Sequence, residues 1–101
     1  MANFKDDILA EAGDEPIEAI LIGPGGRHQN NPDGPLMNKV VSWQQAEPLL
    51  DYEYDKGFGD HDCHPIWAWT ATRVLFVVAW DFVVWISSVP RNPTTCAPDY
   101  C

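Results

Sequence analysis

Positive charge is what this chain has least of. Six Lys and Arg stand against fifteen Asp and Glu, giving a formal net charge of −9 over 101 residues. Phosphates are bound through Lys and Arg that displace counterions, so the composition argues against direct nucleic-acid contact. Cysteine is scarce as well. Cys63, Cys96 and Cys101 make an odd count, where a disulfide scaffold uses a denser, even set. No basic segment followed by an apolar one opens the chain, as a secretory signal would. Reduced thiols and a cytoplasmic location are the expectation. Long apolar runs are also missing. Val74 to Val89 is interrupted by Asp81 and preceded by Arg73, whereas a spanning helix needs about twenty apolar residues without a central charge. Strands are expected here, and no membrane partner.

What is present is enough for one modest core. The apolar content of 46% is that of a globular protein, and five tryptophans supply large, stiff contact area. A single α+β domain is expected over residues 1–93, with residues 94–101 a flexible tail after Pro90, Asn92 and Pro93. Residues 3 to 12, NFKDDILAEA, read as a helix capped by Asn3, with Asp6 and Asp7 in the first turn. Phe4, Ile8, Leu9 and Ala12 form its apolar stripe, Gly13 its end, and Pro16 a block to continuation. Ile17 to Ile22 reads as a strand. Gly23 to Pro35, with four glycines and three prolines, reads as a connecting or partner-contacting loop. Met37 to Val41 fits a short strand. Ser42 caps a helical turn, SWQQAEPLL, in which Trp43, Ala46 and Leu50 share a core face and Glu47 and Pro48 disturb the end.

From Leu49 the period changes to two. Leu50, Tyr52 and Tyr54 fall on one face, and Asp51, Glu53 and Asp55 on the other. That predicts a half-buried strand with a row of carboxylates outward. After a Gly/Asp-rich turn, Ile66 to Ala71, Val74 to Trp80 and Val83 to Ser87 read as a three-stranded meander. The fold expected is an antiparallel sheet of four to five strands with one or two short helices on one face.

Several constellations carry chemistry in their residue types but not in their spacing. The loop after Gly23 lacks the Lys that a phosphate loop places after its last glycine, and has Gly26-Arg27-His28 instead. Asp51, Glu53, Asp55 and Asp62 imitate a calcium loop, but Gly57 falls at its seventh position rather than its sixth. Asp60, His61, Asp62, Cys63 and His64 are zinc-ligand types without a second Cys/His pair at a suitable distance. A turn with hydrogen-bonded aspartates and solvated imidazoles is the plainer reading. Cys63 beside His64 has the types of a nucleophile and base, but neighbours on an extended chain point to opposite faces. No catalytic residue, metal ligand or cofactor is assigned, and the chain is expected not to be an enzyme.

Trp43, the run Leu49-Leu50-Asp51-Tyr52-Glu53-Tyr54-Asp55, Gly57-Phe58-Gly59, Asp62-Cys63-His64, Ala68-Trp69-Thr70, Arg73-Val74 and Val89-Pro90-Arg91-Asn92-Pro93 together resemble short acidic proteins of actinobacterial phages and their hosts. The resemblance covers about half the chain and implies an origin rather than an activity. Those proteins are expected to turn at a glycine after Asp81, where this chain has Phe82-Val83-Val84-Trp85, a more apolar surface. The function expected is that of a small acidic non-enzymatic binding protein, such as a phage-encoded inhibitor of a host protein. Two other readings stand beside it: an assembly protein that oligomerises through a Trp-rich sheet, and a metal-binding domain using the turn from Asp55 to His64. The partner expected is a protein with a basic or apolar surface, or a second copy of the chain. Asp51, Glu53 and Asp55 would meet the basic surface. Trp80, Phe82 and Trp85 would meet the apolar one, because the last two strands do not alternate apolar with polar and one short helix cannot cover both of their faces. The competing expectation is that the loop from Gly23 to Pro35 folds over this face.

Overall fold

The computed structural model describes residues 2–23, 36–54, 63–80 and 83–92. Helix α1 (Phe4–Ala12) follows strand β1 (Ala2–Asn3) directly. The Asn3 side chain accepts the Asp6 N–H at 3.0 Å, which satisfies one of the helix's orphan donors. Gly13 ends the helix at φ 65°, a left-handed conformation that suits glycine, and its N–H reaches the Leu9 carbonyl at 3.1 Å. Phe4 and Ile8 are buried, but Leu9 is 38% exposed, so the apolar stripe is narrower than its spacing suggested. Leu9 lies about 100° around the helix from Ile8 and turns away from the core.

Helix α2 (Trp43–Leu50) starts in a reciprocal cap. The Gln45 N–H donates to Ser42 Oγ at 3.2 Å, and the Ser42 N–H donates to Gln45 Oε1 at 3.3 Å. The helix runs through Pro48 to Leu50, which corrects the expectation of a strand beginning at Leu49. Burial decides this: Ala46 and Leu50 are both fully buried, and their packing holds the last turn despite the missing proline N–H. The following strand, β4 (Glu53–Tyr54), is two residues long and pairs antiparallel with β1, Ala2 opposite Tyr54 and Asn3 opposite Glu53.

The main sheet is antiparallel and five-stranded. Its order is β3 (Val40–Val41), β2 (Ala19–Ile22), β5 (Ile66–Trp69), β6 (Arg73–Trp80) and β7 (Val83–Pro90). The last three strands form the expected meander. β6 and β7 pair along their full lengths from Arg73–Pro90 to Trp80–Val83, so β7 extends past Ser87. At the other end of the sheet the Gly23 N–H donates to the Pro65 carbonyl at 2.8 Å. A Cβ on Gly23 would lie 2.9 Å from Pro65 Cγ, so only glycine fits without a shift.

Register sorts the sheet's side chains into two faces. Val41, Ile20, Ala68 and Leu75 form one row across four strands, and Ile66 and Val84 share their side. These residues are buried together with Phe4, Ile8, Ala46 and Leu50 in one core, so both helices lie on this inner face. Acidic side chains from α1 and the segment after it tie that layer to the meander's polar end. Glu11 accepts from Ser88 Oγ at 2.7 Å, Glu15 from Thr72 Oγ1 at 2.7 Å, and Glu18 from Arg91 Nη1 at 2.7 Å. The hydroxyls of Thr70 and Thr72, with the backbone N–H of Thr72 and the charge of Arg73, hold the Glu15 carboxyl below its ordinary value of 4.5.

Two outcomes follow. Phe4 packs tilted against Tyr52 and edge-to-face against Tyr54, at centroid distances of 5.4 and 5.1 Å. Phe4→Ala should therefore cost about 3–5 kcal/mol in chemical denaturation, and a loss under about 1 kcal/mol would contradict the packing. For Glu15, a lowered folded-state pKa means that its contribution is present above the unfolded value and lost as pH falls through the folded one. Glu15→Gln should lower the denaturation midpoint slightly at neutral pH and make no difference in acid well below pH 4.5.

Candidate functional site

Three places expected from the sequence can be compared with the structure. The first is the carboxylate row. Asp51 is the residue after α2, with φ −83° and ψ 74°, and not the start of an extended strand. The Asn3 amide donates to its Oδ1 at 2.9 Å, and Lys5 Nζ lies 3.7 Å from its Oδ2. Glu53 is exposed on β4. Asp55 lies outside the described residues. The face division expected for Leu50 to Tyr54 holds, with Leu50 and Tyr54 buried, but a helix end and a two-residue strand create it rather than one strand.

The second place is the turn that leads into β5. Asp60, His61 and Asp62 lie outside the described residues. Cys63 and His64 are each only 2% exposed, which corrects the expectation of a solvated imidazole at His64. The reason is a partner twelve residues away. The Tyr52 hydroxyl accepts the His64 backbone N–H at 3.0 Å and shares a second hydrogen bond with His64 Nδ1 at 2.9 Å. The Tyr52 hydroxyl thereby serves both the backbone N–H and one ring nitrogen of this buried residue. Next to it, the Tyr54 hydroxyl donates to Asp7 Oδ2 at 2.6 Å. Burial, and then this hydrogen bond to a carboxylate, raise the Tyr54 phenol well above its ordinary value of 10.0. These groups join α1, β4 and β5. Among the described residues, no three His, Cys, Asp or Glu side chains come together as a metal site requires.

The third place is the outer face of the sheet. The row Val40, Leu21, Trp67, Phe76 and Ser87 crosses all five strands on the side away from the helices. Ala19, Trp69, Val74 and Val89 form a second row, and Val78 opposite Trp85 begins a third. None of these side chains is charged, and none is buried. Trp67 is 52% exposed and lies 6.0 Å from the Phe76 ring, centroid to centroid. Beside this pair is a cavity of about 320 Å3, walled by Leu21, Gly23, Asn38, Pro65, Trp67 and Phe76, and also by Ile66 and Val77, whose side chains belong to the inner face. Trp85 is partly buried on the same side. Trp80 is placed by its backbone in β6, its side chain is outside what is described, and so is Phe82. The sequence singled out the end of the meander, whereas the most exposed described tryptophan sits on its first strand, the central strand of the sheet. The signal that could have found Trp67 was its alternation with the small Ala68 and with Ile66, which marks the two sides of β5.

Comparison with protein-family models, with curated proteins and with solved structures returned no match. Fold and site together define an α+β protein whose sheet is covered by helices on one face, while the described side chains of the other face are uncharged and partly or largely exposed. No helix among the described residues is long and apolar enough to cross a membrane.

The Tyr54 arrangement has a pH signature. Its raised folded-state pKa means that its contribution is intact below 10.0 and is lost as pH rises beyond that value, because the unfolded chain releases the proton first. Tyr54→Phe should cost about 1–3 kcal/mol at neutral pH and flatten the alkaline fall in stability. Equal alkaline slopes in the two proteins would show that the phenol is not raised as its burial and the Asp7 contact require.

Proposed function

We propose that this chain is a non-enzymatic protein-binding protein that engages its partner through the outer face of the five-stranded sheet. One observation carries the reading: an uncharged face containing Trp67, Trp69, Phe76 and Trp85 in which every described side chain keeps solvent contact. Contiguous apolar surface of this extent on a small protein marks an interaction site, and aromatic side chains are the usual anchors of one. The carboxylates on the helix side influence which partners approach, since a net charge of −9 attracts basic proteins and repels acidic ones. The finer roles differ in what occupies the face. A phage-encoded inhibitor would present it to a host protein, and an assembly component would present it to copies of itself.

Site-directed photo-crosslinking tests the reading. A benzophenone side chain at position 67 should give protein adducts in cells that produce the chain. The same group at Gln44, exposed on α2, should give few. Adducts from position 44 alone, or none from 67, would refute the use of this face.

A further inference from the structure

The outer face has two features that fit each other. Trp67 projects half-exposed from β5, and the cavity of about 320 Å3 opens directly beside it, between Leu21, Pro65 and Phe76. That volume falls in the range of clefts that enclose a compact ligand. A knob next to a hole is the pattern of a self-complementary surface: a two-fold rotation brings each knob to the other copy's hole. We infer that the occupant of the outer face is a second copy of this chain, packed sheet against sheet, with Trp67 of each copy seated in the cavity of the other. This rests on the reading of the outer face as a binding surface and names its partner.

Size is compatible with a second copy. Five strands about 4.8 Å apart, two of eight residues, two of four and one of two at about 3.3 Å per residue, give a face of roughly 400 Å2. Covering it on both copies removes on the order of 800 Å2 from water, the small end of protein–protein contacts, so the expected dimer is a weak one. Charge supports it. Self-association of a chain with net charge −9 requires that the carboxylates stay apart. No described side chain of the outer face is ionisable, and Glu11, Glu15 and Glu18 bond at the helix side or the sheet's polar end. Sheet-on-sheet packing puts the two helix layers on opposite outer sides, roughly 30 Å apart with layers about 10 Å thick, several times the Debye length of about 8 Å at physiological salt. A basic partner recognised by charge would find carboxylates only at the rim of this face, where Asp7 and Glu11 line a groove with Trp85.

Sedimentation equilibrium of the full chain at micromolar concentration tests the inference. A dimer is expected, and raising salt from about 0.05 to about 0.5 M should leave it unchanged or tighten it, since only repulsion is screened. Trp67→Lys should raise the dimer dissociation constant about thirtyfold or more, and Gln44→Lys on the helix side should leave it unchanged. Val89→Lys, at a site on the same face 40% exposed, gives the same readout if Trp67→Lys does not fold. Thiol labelling of a Val74→Cys variant, followed peptide by peptide, separates the ways of failing. A monomer that labels rapidly at position 74 overturns the second copy but leaves the face open for another protein. A monomer that labels slowly there means that the chain covers the face itself, and the binding reading falls with the inference.

Discussion

A five-stranded sheet has two faces, and the described chain sets helices of nine and eight residues against it. Those two helices suffice for one face only. The consequences run through the whole molecule. Phe4 and Ile8 from α1, with Ala46 and Leu50 from α2, meet Ile20, Ala68, Leu75 and Val84 to make a single core on the inner side. The price is an outer side built of tryptophan, phenylalanine and valine with neither described helix over it. Strands exposed on one face ordinarily alternate apolar with polar. β6 does not: Val74, Phe76 and Val78 face outward as Leu75 and Val77 face inward. A strand apolar at both parities presents apolar surface on any side left uncovered.

The acidic residues are distributed to suit this. They concentrate at the helix layer and the sheet's polar end, where several have work within the fold. Glu11, Ser88 and Arg73 form one chain of contacts, since Arg73 Nε donates to the same Ser88 hydroxyl at 2.9 Å. Arg91 joins Glu18 to the Thr70 carbonyl at 2.8 Å. Each exposed ion pair contributes little by itself. Together they join the segment after α1 to the turn between β5 and β6, on the side of the sheet away from the cavity at Gly23 and Pro65. Charge that the sequence presents as a handle for a basic partner is in part the fastening of the fold.

What could be read from the sequence was whatever depends on near neighbours. Asn3, Gly13 and Ser42 mark helix ends through bonds spanning three or four residues, and the meander follows from its β-branched runs. The misread positions depend on distant ones. Leu50, Tyr52 and Tyr54 point inward at a spacing of two, which a strand explains, yet a helix ending at Leu50 and a short β4 give the same burial. Only the packing of Ala46 and Leu50 against the sheet distinguishes them. His64 looks solvated beside four polar neighbours until the Tyr52 hydroxyl supplies two hydrogen bonds. Trp67 could not be ranked above Trp85 without the register, because whether a residue faces the helices is a property of the pairing and not of its own strand.

The sheet's edges determine which kind of association is open to it. An uncovered edge strand invites pairing with a strand of another chain. β3 offers only two residues at one edge. β7 offers eight, but that edge is guarded. Helix α1 borders it, leaving a groove of about 230 Å3 lined by Asp7, Ala10, Glu11, Trp85 and Ile86. Arg73 Nη2 donates to the Ser88 carbonyl at 2.9 Å, so a backbone acceptor of the strand already has a charged donor. Pro90 has no N–H to offer. An incoming strand would meet a carboxylate, a guanidinium and a proline before it completed a ladder. The outer face has no such guards. Contacts made there bury the tryptophans, and with two copies related by a two-fold axis they stop at two.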